Sequence, residues 1–83
     1  MTTEQIEKFF SSNARLNSLI RISFKTRDAV VGIFIQTPDF DELKSKNFWR
    51  IVSESNYEQW KQSKDYSLVR MFNGADFTKL VIV

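Results

Sequence analysis

The chain has 83 residues and a formal net charge of +2, and it contains neither cysteine nor histidine. One domain of this size buries only about 60% of its unfolded surface, so its core must be dense or shared with other copies. Disulfides are excluded and ordinary zinc sites nearly so. The commonest nucleophilic and acid–base side chains of enzymes are missing too. The chain therefore reads as non-catalytic, with no cofactor and no metal.

Thr2 with Gln5 fits a capping box, and Glu4 and Glu7 suit the positive end of a helix. Ile6, Phe9 and Phe10 then share one helical face. Ser11-Ser12-Asn13 weakens the pattern, so the helix is expected to end near residue 12, with a ragged turn reaching Leu16. From Leu19 the period becomes two: Ile20, Ile22 and Phe24 point one way, Arg21, Ser23 and Lys25 the other. Thr26-Arg27-Asp28 turns the chain. A second strand over 29–36 is apolar on both faces. Gly32 in its middle predicts a sharp bend or a close backbone approach.

Thr37-Pro38-Asp39 ends that strand. Residues 38–46 read as a charged loop with a helical turn at 40–45. Asp39, Asp41 and Glu42 lie together there, but their spacing matches no calcium loop. A third strand is expected over 48–53, with Phe48, Arg50 and Val52 on one face and Trp49 and Ile51 on the other. Residues 54–65 are polar and fit either a long connection or one or two helical turns that pair Tyr57 with Trp60. In so polar a stretch these two rings are expected at the surface, as an interaction site. A fourth strand follows over 66–72, then an Asn73-Gly74 turn whose residues tolerate positive φ, then a fifth strand over 77–83. Pairing the strands in sequence closes them into a small barrel. The longest apolar run, 29–35, is far short of the roughly 20 residues that cross a bilayer. With no basic start leading into an apolar stretch, the expectation is a cytoplasmic protein without membrane contact.

Four stretches resemble the Sm-like family, including its bacterial Hfq branch. They are Ile20-Arg-Ile-Ser-Phe-Lys25 with Arg27-Asp28; Val30-Val31-Gly32-Ile33-Phe34; Phe40-Asp41 with Asn47-Phe48-Trp49-Arg50-Ile51; and the run from Leu68 to Asp76 through Arg70, Asn73 and Gly74. The resemblance implies one domain over 1–83. Residues 1–17 would be an N-terminal helix and linker, and 18–83 a strongly bent five-stranded antiparallel SH3-like barrel. It also implies single-stranded RNA as the ligand, held around Phe40, Asp41, Asn47, Arg70, Asn73 and Gly74. Two departures are visible: the segment from Gly32 to Asn47 is longer than the family's, and Asn73 stands where the family has arginine. The family closes rings by pairing the fourth strand of one copy with the fifth of the next. Here 77–83 is apolar on both faces with only Lys79 charged, an edge that invites another chain.

Arg21, Lys25, Arg27, Arg50 and Arg70 are candidate phosphate contacts, with a solvated strand face as the plain alternative. Residues 1–27 hold five basic side chains against two acidic ones. Two functions remain open at this level: a small RNA-binding module, or a protein-interaction or assembly module of the same fold, monomeric or oligomeric.

Overall fold

The capping box forms with both of its halves. The Thr2 amide donates to Gln5 Oε1 at 2.9 Å, and the Gln5 amide donates to Thr2 Oγ1 at 3.2 Å. It opens helix α1, Thr3–Ser12, in a computed structural model that describes residues 1–12 and 18–83. The turn expected up to Leu16, and Arg15, fall outside the described residues. The chain continues through β1 (Leu19–Phe24), β2 (Val30–Phe34), α2 (Phe40–Ser45), β3 (Phe48–Ser53), α3 (Tyr57–Ser63), β4 (Val69–Asn73) and β5 (Phe77–Ile82). Single 3-10 turns occupy Glu54–Asn56, Tyr66–Leu68 and Gly74–Asp76. Residues 54–65 thus take the helical alternative, and 66–68 is a turn rather than the start of β4. Among the described residues no helix is long and apolar enough to cross a membrane.

The five strands form one antiparallel sheet in the order β4-β3-β2-β1-β5. This corrects two expectations. First, Asn73-Gly74 does not make a hairpin. Asn73 has φ −86°, no glycine has positive φ, and a 3-10 turn carries the chain from one edge of the sheet to the other. β5 pairs with β1 and not with β4. Second, the sheet is not closed as a barrel. β4 and β5 remain open edges, because nothing hydrogen-bonds them to each other.

The sheet nonetheless curls far. β4 and β1 are three positions apart, about 14 Å in a flat layer. Yet the rings of Phe24 on β1 and Phe72 on β4 lie 5.4 Å apart. A three-residue link between the outermost strands demands the same closeness at that end. Gly32 makes the curl possible. A Cβ there would stand 2.7 Å from the Val52 carbonyl oxygen and 2.8 Å from Ile51 Cγ2. Its missing side chain lets β2 and β3 close up on the concave side.

The concave side holds the main core: Ile6, Ile20, Ile22, Phe34, Trp49, Ile51, Phe72, Phe77 and Leu80. Phe34 is the hub. Its ring packs edge-on against Phe10 of α1 at 4.8 Å, Trp49 of β3 at 5.8 Å and Phe77 of β5 at 6.3 Å. α1 closes this side through Ile6, Phe9 and Phe10. On the convex side a smaller cluster forms where α3 lays Trp60 over Ile35 and Val52.

The amino end is tied down as well. The Met1 ammonium donates to the carbonyls of Gly74 (2.8 Å) and Phe77 (2.7 Å). Burial lowers its pKa, helped by the nearby Lys25 charge and opposed by Asp76.

Three outcomes follow from this packing. Gly32→Ala forces β2 and β3 apart and is expected to cost about 1–3 kcal/mol, seen as a lower urea midpoint at unchanged slope. Phe34→Ala empties the hub and is expected to cost about 3–5 kcal/mol in the same assay. For a chain starting at Met1, folding favours the deprotonated amine, so the unfolded state binds more protons between the lowered value and 8.0. Stability should therefore rise with pH through that window and level off above it. With no histidine or cysteine to titrate nearby, the slope should vanish when the amine is acetylated.

Candidate nucleic-acid interface

Some basic side chains of this fold are ion-paired and others are not. The ion pairs are Lys44 with Glu7 and Asp41, Lys46 with Glu42, Arg50 with Asp39, and Lys61 with Glu58. All lie on α1, α2, α3 and the start of β3. Arg21, Lys25, Arg27, Arg70 and Lys79 are exposed and form no ion pair among the described residues, and the same holds for Lys8 on α1 and Lys64 after α3; the first five bear on the sheet. Those five sit on β1, the β1–β2 turn, β4 and β5. Arg21 faces Val81 and Lys79 faces Ser23 across the β1–β5 ladder, so both basic groups lie on its convex face. Asp28 and Asp76 are the acidic residues in the adjoining turns.

The two arginines nearest the seam between β4 and β1 are held by aromatic rings. The Arg27 guanidinium lies 5.1 Å from the Phe24 ring centre and 5.5 Å from that of Phe72. The Arg70 guanidinium lies 5.3 Å from the same Phe72 ring. Such contacts hold a cation without neutralising it, so the charges stay available to an anion. The Lys25 amide also donates to the Asp76 carbonyl at 3.0 Å, fixing the end of β1 against the β4–β5 connection.

Asn47, Asn73 and Gly74 from the Sm-like resemblance gather near the start of β3, but their polar groups are used internally. Asn47 Nδ2 donates to the Met1 carbonyl at 2.9 Å, and its Oδ1 accepts from Trp49 Nε1 at 2.8 Å. Its backbone takes φ 63°, a left-handed value that asparagine tolerates. Its carbonyl accepts from the Gly74 amide at 2.8 Å. Gly74 is buried against it, and a Cβ there would collide with Asn47 Oδ1. Asn73 Oδ1 accepts from the Ala75 amide. Phe40 packs on Trp49 at 5.9 Å, while Asp41 is exposed and 3.6 Å from Lys44. Asp41 and Asn47 therefore do not face a common opening with free polar atoms.

Other candidates also move. Arg50, a possible phosphate contact by sequence, is bound to Asp39 at 3.0 Å. Asp39, Asp41 and Glu42 each meet a cation rather than one another. Trp60 is a correction: it is buried, because the i, i+3 face it shares with Tyr57 turns toward the sheet. Beside it, Ile33, Ile35, Tyr57, Lys61 and Lys64 border a shallow pocket of about 200 Å³. Sequence reading named Arg27 and Arg70 but not their ring supports. Phe24 and Phe72 looked like ordinary core positions, and only the curl brings them together.

No family model matches the chain, and neither a curated protein nor a solved structure does.

Asn47→Ala leaves the Trp49 indole N–H without its acceptor, which should cost about 1–3 kcal/mol. Asn47→Gly loses the same bonds but fits positive φ, and should be more stable than the alanine variant by about 1 kcal/mol. Thermal melts of the pair check both values.

Proposed function

We propose that this chain is a non-catalytic binding module of Sm-like type whose ligand is single-stranded RNA. The observation that carries the reading is the set of five exposed cations on β1, β4, β5 and the β1–β2 turn, none of them ion-paired among the described residues. Exposed cations without carboxylate partners suit a polyanion, whose binding releases counterions. Aromatic rings beside them add a surface on which bases stack. The N-terminal helix over a curled antiparallel sheet supports the Sm-like part of the reading. The ligand route differs from the one the resemblance implies, because the Asn47 amide is spent on Met1 and Trp49.

Assembly is a second reading, favoured by the open edges. β4 presents Met71, with Tyr66 close by, around a shallow pocket of about 250 Å³. β5 presents Val81 and Ile82, and Val83 follows them. Two different apolar edges on one chain suit head-to-tail addition of copies, which closes a ring when the rotation allows. Protein interaction without RNA is the same surface put to another use.

Fluorescence anisotropy with U-rich and A-rich oligonucleotides tests the RNA reading. Binding is expected in low salt, with log K falling by about 0.7 per neutralised phosphate for each tenfold rise in salt. No binding at tens of micromolar in low salt rejects it. Light scattering tests assembly: a monomer at 100 micromolar removes the ring. Met71→Lys and Ile82→Lys should each turn an assembly into monomers.

A further inference from the structure

We infer that Arg27 and Arg70 form a clamp for the phosphodiester backbone, and that the bound backbone bridges the open seam of the sheet. The inference rests on the RNA reading above and names the atoms that would carry it.

The argument begins with position. Arg27 belongs to the β1–β2 turn and Arg70 to β4, so they stand on opposite sides of the seam. Along the sheet they are three strands apart. Across the seam both contact one ring, Phe72, at 5.5 and 5.3 Å. Contacts here include Phe24 with Phe72, Arg27 with Phe72, and the Lys25 amide donating to the Asp76 carbonyl of the β4–β5 connection. No backbone ladder joins β4 to β1 or β5.

Charge comes next. Both guanidiniums lie against the Phe72 ring, and neither has a carboxylate partner among the described residues. A phosphate that reaches both gains two charge-assisted contacts. The guanidinium fork matches phosphate oxygens bidentately, and its charge persists at every working pH. Phe24, half-buried beside Arg27, leaves part of a ring for a neighbouring base. A strand of RNA laid across the seam therefore adds a link where, among the described residues, no backbone ladder runs.

The test uses the full chain, the variant Arg27→Gln/Arg70→Gln and the control Lys64→Gln, whose lysine lies over Trp60 well away from the seam. Circular dichroism first verifies that each is folded. Anisotropy is read against a ten-nucleotide RNA, against its abasic counterpart and in the presence of polyglutamate, over a salt series. The double variant should bind at least tenfold more weakly and lose about 1.4 from the salt slope, two phosphates' worth for a single strand. Lys64→Gln should match the wild type, the abasic strand should bind measurably, and polyglutamate should compete poorly. Hydrogen exchange should show RNA-induced protection at residues 69–73 and 26–29, absent in the double variant. If the wild type binds RNA and the double variant keeps its affinity and slope, the clamp is overturned while the RNA reading stands. Equal competition by polyglutamate overturns the choice of phosphate in favour of an acidic protein. Binding without protection at 69–73 overturns the bridge. No binding by the wild type overturns both readings together.

Discussion

The missing side chain at Gly32 is the constraint on which the molecule depends. The Val52 carbonyl approaches so closely that even one methyl group would need the backbone to move. That approach lets β2 and β3 fold inward, and the curl then brings Phe24 to Phe72 and leaves room for one ring, Phe34, to touch α1, β3 and β5 at once. In a flat layer of the same strands, Arg27 and Arg70 would sit on separate parts of the surface. Local backbone permissiveness thus reaches the electrostatics of the far seam through packing alone.

A curled sheet that stops short of closure has a second consequence. Closure would satisfy every strand edge; this fold leaves two, and they differ. One carries Met71 and lies near Tyr66, the other carries Val81 and Ile82. Lys79 and Arg70 stand on these edge strands, the usual means of discouraging indiscriminate pairing. The same cations that suit an RNA backbone thus also limit how the edges are used, and the two proposed activities share residues.

Much of the architecture was legible from short-range signals. The Thr2–Gln5 reciprocity, the alternation from Leu19 to Phe24, the division of Trp49 and Ile51 from Arg50 and Val52, and the helical turn at 40–45 all follow from spacing within a few residues. Strand order was not legible. Asn73-Gly74 has the composition of a hairpin turn, but the glycine is needed there for closeness to Asn47, and the strands on either side belong to opposite edges. Trp60 misled for a similar reason: a polar neighbourhood in sequence says nothing of an apolar convex face waiting at Ile35 and Val52. Of the site residues implied by the Sm-like resemblance, Asn47, Asn73 and Gly74 lie together, yet the bonds that join Asn47 to Met1 and Trp49 can be seen only once distant segments meet.

The anchoring of Met1 to Gly74 and Phe77 bears on how the protein is made. These contacts span more than seventy positions of the chain. In chain order α1 comes well before its anchor, which is complete only once Phe77 has been added. Until then Ile6, Phe9 and Phe10 of α1 lack Phe77 and Leu80, which complete the core around them. Native structure here must form late and all together, slowly by the standard of local folds.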